Sequence, residues 1–240
     1  MDNATGSLPF LSIDRRGAAR GYRRATRLGA APDRGPHEPQ SGFALYGTIF
    51  HMSTPHAGLG ASISPSVVKE LKAHIREVPD FPKPGILFYD ITTLLKNGPA
   101  LARLIDTLAA HYANQHIDVV AGIEARGFIF GPALALRLAA GFVPIRKPRK
   151  LPAPTVAVEY ALEYGTDRLE LHRDAITPGQ RVLIVDDLIA TGGTALASAQ
   201  LVEQLKGTVA GFAFIVELTF LGGRQRLAPY DVTSLLAYDE

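Results

Sequence analysis

Arg181-Val-Leu-Ile-Val-Asp-Asp-Leu-Ile-Ala-Thr-Gly-Gly-Thr194 is the stretch from which the fold can be read. Val182 to Val185 is a continuous apolar run, the pattern of a strand buried on both faces of a parallel sheet. Asp186 and Asp187 follow directly, then a small loop from Ala190 to Thr194, then an apolar, helix-like run from Ala195 to Leu205. Open α/β sheets bind ligands at the C-terminal ends of their strands, where this loop falls. Gly192 and Gly193 let the backbone come close to an oxyanion. Thr191 and Thr194 add hydroxyl donors, and the next helix offers free N–H groups and the positive end of its dipole. The dipole contributes only about 0.3–1 kcal/mol, so directed N–H and O–H bonds must do most of the holding. Asp186 and Asp187 stand too close to such a phosphate to be its ligands. They suit sugar hydroxyls, or a hard cation that takes oxygen ligands. For the glycines alone, a polar turn in an ordinary strand–turn–helix crossover is an equally good reading. The adjacent carboxylates followed by Thr-Gly-Gly-Thr favour the ligand site. The stretch is neither a Walker loop, which needs Gly-Lys-Ser/Thr, nor a dinucleotide fingerprint, which needs G-x-G-x-x-G.

The same grammar recurs upstream. Val119 to Ile123 is a second buried strand, ending in a polar loop with Gly122, Glu124, Arg126 and Gly127 before a helix over Phe128 to Ala139. Arg126 is a candidate second anion contact; an exposed surface turn is the plainer alternative. Phe142 to Ile145 is a third short strand running into Arg146-Lys-Pro-Arg-Lys-Leu-Pro-Ala-Pro154. Such a cation cluster is commonly a solvated loop, but at a strand C-terminus it could clamp a polyphosphate. Thr155 to Tyr164 and Arg168 to His172 alternate as two strands, with Gly165 to Asp167 as a hairpin turn. Thr208 to Glu217 and Val232 to Ala237 complete the strands, with Gly222 to Leu227 a short helix or turn between them. On the N-terminal side, Ser64 and Pro65 open a helix with an apolar stripe at Val67, Val68, Leu71 and Ile75. The proline-rich run Val78 to Gly85 stops it. Ile86 to Ile91 reads as extended, and Pro99 to Tyr112 as a second helix.

With 240 residues, 47% of them hydrophobic, the chain can build one full α/β core. It has no cysteine, which excludes disulfides, thiolate metal sites and a cysteine nucleophile and suits a reducing compartment. No apolar run approaches the roughly 20 residues of a membrane span. Residues 1–51 carry seven Arg against four acids, so of the net charge of +2 they hold +3 and the remainder −1. Residues 1–63 are rich in Gly, Pro, Arg, Ser and Ala without lasting periodicity, and are expected to be a disordered extension ahead of a domain at 64–240. Met52 is a candidate translation start. A transit peptide is opposed by the four acids and several prolines, and a nucleic-acid-binding arm by the lack of interleaved aromatics. Intact mass of the native chain checks the start: an N-terminus near Met52 is expected, and a chain beginning at Met1 would end the idea.

The Asp186-Asp187 and Ala190-Thr-Gly-Gly-Thr194 run resembles the phosphoribosyl pyrophosphate (PRPP) signature of the type I phosphoribosyltransferases. Phe81-Pro-Lys-Pro-Gly-Ile-Leu-Phe88, Gly122-Ile-Glu-Ala-Arg-Gly-Phe128, Ile145 to Thr155, Leu162-Glu-Tyr-Gly165 and Val216-Glu-Leu-Thr219 resemble the adenine phosphoribosyltransferases, over residue 65 to the C-terminus. The resemblance implies an open, mainly parallel twisted sheet flanked by helices, with a small hood and a mobile β-hairpin lid; Lys147–Leu169 is the candidate lid. It implies transfer of the 5-phosphoribosyl group from PRPP to adenine, giving AMP and pyrophosphate with Mg²⁺, in a cytoplasmic homodimer with no nucleic-acid or membrane partner. Ala190, Thr191, Gly192, Gly193 and Thr194 would hold the ribose 5-phosphate. Asp186 and Asp187 would contact ribose hydroxyls directly or through the metal. Glu124, Ala125 and Arg126 would form a pyrophosphate loop, with a cis peptide expected, and Arg146 and Lys147 would assist it. The Leu87 backbone and Phe88 would flank adenine, Glu163 would manage the purine proton, and Tyr164 would close over the site. Glu163, Arg126 and Asp187 are the candidate catalytic residues. Tyr89 departs from the pattern, since some members carry Arg there.

Two other readings remain to be weighed. One is a phosphoribosyltransferase for hypoxanthine, guanine or xanthine. The other is a PRPP-sensing regulator on the same fold, which should carry a winged-helix block; residues 1–63 show no such helical pattern.

Overall fold

The computed structural model describes residues 63–161 and 166–239. The expected extension over 1–63 therefore lies almost wholly outside the described residues. The centre is a five-stranded sheet, entirely parallel, of β3 (Val119–Ile123), β4 (Gly141–Ile145), β7 (Arg181–Ile189), β8 (Thr208–Leu218) and β9 (Val232–Tyr238). Its strand order is β4-β3-β7-β8-β9, so the chain starts in the middle, steps to one edge, and returns through β7 to build the other.

A period of two in the strands divides the core into two layers. From β7, Leu183 and Val185 enter one layer while Val182 and Ile184 enter the other; from β8, Ala213 and Ile215 oppose Phe212 and Phe214. The first layer is covered by α1 (Pro65–Lys72), α3 (Gly98–Tyr112) and α4 (Gly127–Leu138), through Val67, Leu71, Leu104, Leu108, Phe130 and Leu134. The second is covered by α5 (Gly193–Gln204) and by a two-stranded antiparallel sheet of β5 (Thr155–Ala161) and β6 (Thr166–His172). Burial on both faces explains why β3, β7 and β8 read as unbroken apolar runs.

Three boundaries differ from the sequence expectation, each for a pairing reason. Strand β7 continues past the two carboxylates to Ile189, because β8 keeps pairing with it through Leu188↔Val216 and Ile189↔Glu217. Arg76–Pro79, expected to be the region where the first helix ends, is a strand, β1, antiparallel to β2 (Leu87–Asp90). The Arg76 Nε donates to Asp90 Oδ2 at 3.0 Å across that pair. Thr166 and Asp167, expected in the hairpin turn, belong to β6, opposite Ala161 and Tyr160. A second short helix, α2 (Thr92–Leu95), follows β2, and α6 (Gly223–Arg226) lies between β8 and β9. No helix among the described residues is long and apolar enough to cross a membrane.

Leu183 is fully buried at the centre of the sheet. Leu183→Ala is expected to cost about 2–5 kcal/mol, the range for a buried Leu truncation. In urea titration the midpoint should fall with an unchanged slope.

Candidate active site

The C-terminal ends of β3 and β7 lie side by side, and the loops that follow them form the site. Because successive strand residues face opposite ways, Asp186 and Asp187 serve different cavities. Asp186 lines a small cavity of about 150 Å³ with Ala190, Thr191, Gly192, Gly193 and Thr194. Asp187 lines a cavity of about 460 Å³ with Phe81, Phe88, Tyr89, Ile91 and Arg126. Leu188 lines both, so the two meet there.

The small cavity is an amide cradle. Gly192 is the N-cap of α5 in the left-handed region, φ 76°, where any other residue would be strained. Its carbonyl accepts from Leu196 N at 2.9 Å, so the N–H groups of the first turn have no helical partner and are free for an anion. Thr194 Oγ1 lies 3.3 Å from the Tyr160 hydroxyl on β5.

The carboxylate pair is held unequally. Asp187 is buried, and its Oδ2 lies 2.6 Å from Arg126 Nε. The guanidinium side chain is itself 52% exposed, so it can meet both the carboxylate and an incoming anion. Asp186 Oδ1 accepts from the Asp187 amide at 2.9 Å. Burial pushes the Asp186 carboxyl well above the usual carboxylate range, and the charge of Asp187 pushes the same way. Burial also raises Asp187, against the pull of Arg126. Both carboxyls therefore hold a proton more tightly than a free aspartate would.

The β3 loop carries the other expected group. The Glu124–Ala125 peptide is cis, as expected. Glu124 accepts from Arg146 Nε at 3.1 Å, from the Lys147 amide at 3.1 Å and from Lys150 Nζ at 2.5 Å. Burial alone would raise its carboxyl, but the hydrogen bonds from Lys150, Arg146 and the Lys147 amide hold it down to about 2. Arg146 thus contacts the Glu124 loop. The Lys147 ammonium does not; it contacts Asp167 and the Tyr160 hydroxyl near the turn end of the β5–β6 pair.

Phe88 reaches the larger cavity, while Leu87 is exposed and does not line it. Tyr89, where some relatives of the signature carry Arg, is buried and stacks on Tyr238 with ring centroids 3.7 Å apart. An aromatic contact thus occupies this position. Val78, Ile91 and Leu188 also line the cavity and were not singled out from the sequence. Each is an unremarkable apolar residue there, and only the β1–β2 pairing brings Val78 in. Glu163 and Tyr164 lie outside the described residues.

The family described as phosphoribosyl transferase domain matches residues 92–234. An adenine phosphoribosyltransferase of Koribacter versatilis is 65% identical over 170 residues, covering 71% of this chain and 93% of that protein. One from Acidobacterium capsulatum is 68% identical, covering 71% and 94%. The crystal structure of the Thermoanaerobacter pseudethanolicus adenine phosphoribosyltransferase superposes with a TM-score of 0.69 at 56% identity, covering 71% of this chain and 99% of that one. The chain belongs to the phosphoribosyltransferase family, among the adenine phosphoribosyltransferases.

The Glu124 cluster has a testable acid signature. A carboxyl held at about 2 when folded, against 4.5 as its ordinary value, contributes stability that is present above 4.5 and lost as pH falls towards 2. The difference in unfolding free energy between wild type and Glu124→Gln should therefore shrink across that interval. A difference independent of pH would show that the cations do not hold Glu124.

Proposed function

We infer that the chain transfers the 5-phosphoribosyl group of PRPP to adenine, giving AMP and pyrophosphate. The observation that carries this reading is the split of Asp186 and Asp187 between an amide cradle and an aromatic slot that meet at Leu188. A sugar phosphate bridging the two would seat its 5-phosphate on Ala190–Thr194 and present its anomeric carbon to a base against Phe88. A Trypanosoma brucei adenine phosphoribosyltransferase, 29% identical with a TM-score of 0.65, has been crystallised with AMP, pyrophosphate and ribose 5-phosphate.

In the reaction the bond from C1′ to the pyrophosphate oxygen breaks and the bond to adenine N9 forms. The N9 proton passes to Glu163, and Tyr164 closes over the site, the roles the resemblance assigns them. Positive charge grows on the ribose and negative charge on the leaving group. Asp187 and Asp186 face the former, and Arg126, held in place by Asp187, faces the latter with Arg146 beside it. Lys147, on present geometry, is held near the turn of the hairpin and reaches pyrophosphate only if its contact with Asp167 opens. The segment Lys147–Leu169 serves as the lid that keeps water from the reacting carbon, and β1–β2 as the hood over the base.

The donor chemistry fits Mg²⁺. Two adjacent carboxylates near a strand end are hard oxygen donors, the kind that Mg²⁺ takes. Asp186 and Asp187 would hold the ion directly or through water, with PRPP supplying further oxygens. When bound, it neutralises charge on the departing pyrophosphate. The exposed Ile129 and Leu136 on α4, 43% and 84% accessible, support a homodimer. The lack of cysteine suits a cytoplasmic location. Residues 1–63 are an extension to a domain at 64–240.

Adenine, hypoxanthine, guanine and xanthine offered in turn with PRPP and Mg²⁺ should give nucleotide from adenine above the others. Asp187→Asn and Arg126→Ala should each lower turnover by about 10²-fold or more, the scale for losing a charge-stabilising group. Near-normal turnover in both variants would mean that the site is misplaced.

A further inference from the structure

Thr194 Oγ1 ties the end of the amide cradle to Tyr160, but between Ala190 and Gly192 its geometry depends on what stands behind it. Behind it stands the turn between β8 and β9. A Cβ on Gly223 would overlap the Ala190 carbonyl oxygen and lie 2.8 Å from Ile189 Cγ1. Reciprocally, a Cβ on Gly192 would lie 2.7 Å from the Gly223 carbonyl oxygen. Real Cβ contacts are longer than this, so two stretches of bare backbone touch where Ala190 enters the cradle and Gly192 leaves it.

The wall cannot easily retreat. Arg224, the next residue, donates Nε to Glu217 Oε1 at 2.9 Å and Nη2 to Glu217 Oε2 at 2.5 Å. Its Nη1 donates to the Val232 carbonyl at 2.5 Å. One guanidinium thus ties α6 to the end of β8 and the start of β9, and Glu217 is buried beneath it. A bidentate pair of this kind is geometrically demanding. Thr219 adds a hydrogen bond to the Tyr238 carbonyl at 3.0 Å.

We propose that Gly223, clamped by Arg224, is the positioning residue that shapes the Ala190–Thr194 cradle and so sets the affinity for the 5-phosphate of PRPP. The proposal rests on the cradle reading above. Gly223 touches no substrate; it acts through the backbone of Ala190 and Gly192. The 5-phosphate is remote from the reacting carbon and is held alike before and during the reaction, so a distorted cradle should weaken binding more than the chemical step.

The test is steady-state kinetics on the full chain with Gly223→Ala, Gly222→Ala and Thr191→Ala. Gly222 is the control: it has φ 68°, so alanine strains the same turn, but the nearest atom to its Cβ is Gln225 Oε1 at 3.5 Å and nothing of the cradle is near. Gly223→Ala should raise KM for PRPP by about tenfold or more with KM for adenine unchanged, a shift of the cradle by a fraction of an ångström being enough. Gly222→Ala should keep both KM values, whatever its melting temperature. Thermal protection by ribose 5-phosphate should be lost in Gly223→Ala and kept in Gly222→Ala. A wild-type KM for PRPP in Gly223→Ala, or equal rises for PRPP and adenine, would overturn the proposal. If Thr191→Ala also left KM for PRPP unaltered, the cradle reading itself would fail. Should Gly223→Ala not fold, Arg224→Lys, which keeps the charge but loses the fork, should raise KM for PRPP alone; unchanged KM values there would overturn the proposal equally.

Discussion

Two carboxylates on adjacent residues of a buried strand repel each other wherever water is scarce. At an effective dielectric constant of 20, unit charges 4 Å apart interact by about 4 kcal/mol. Strand β7 must accommodate that conflict to keep pairing with β8 as far as Ile189. The pleat turns the side chains to opposite sides, Arg126 neutralises Asp187, and Asp186 takes a backbone amide and an elevated affinity for a proton. The accommodation is incomplete, since burial and the charge of Asp187 leave Asp186 with a raised preference for a proton. Arg126 must be held by the β3 loop for it to work, so the adjacency of β3 and β7 in the sheet is the condition on which the site depends.

That adjacency was legible only in part. The apolar runs of β3, β7 and β8 named a parallel sheet because strands buried on both faces leave no polar alternation. The loop after β7 declared itself because glycine, threonine and paired aspartate seldom coincide without a ligand. Strand β1 was not legible: Arg76-Glu-Val-Pro79 lacks any strand pattern and exists because β2 pairs with it, with Arg76 and Asp90 joined across the pair. The end of β7 was misjudged for the same reason. A pair of aspartates looks like a strand terminus, and only the partner strand shows that pairing continues. Cross-strand partners decide such boundaries, and local sequence does not contain them.

The basic run Arg146–Lys150 illustrates a different limit. Its composition allowed either a solvated loop or a polyphosphate clamp, and the geometry combines the two. Arg146 and Lys150 converge on Glu124, while Lys147 turns to Asp167 and Tyr160. A half-buried carboxylate that already gathers cations keeps them ordered at the rim without leaving a bare positive cluster. Tyr160 then connects that group to the cradle, since its hydroxyl also lies 3.3 Å from Thr194 Oγ1. Nothing in an alternating strand singles out one tyrosine for this, so the link between the two halves of the site is a product of the fold alone.

A cradle of main-chain amides differs in kind from the rest of the site. Arg126, Glu124 and Asp187 are placed by pairs of side chains, and Arg126 and Arg146, being partly exposed, can trade a lost partner for water. Amide groups have no such latitude, because their directions are those of the backbone. The chain fixes them from both ends: α5 is sunk by Ala195, Ala197, Ala199 and Leu201 into the second core layer, and β7 is held between β3 and β8. What remains free is the arc between Ala190 and Gly192, and small residues there permit movement as readily as close approach. Rigidity in that arc has to be borrowed from outside, which is why a turn between two strands far along the chain can matter to a phosphate it never touches.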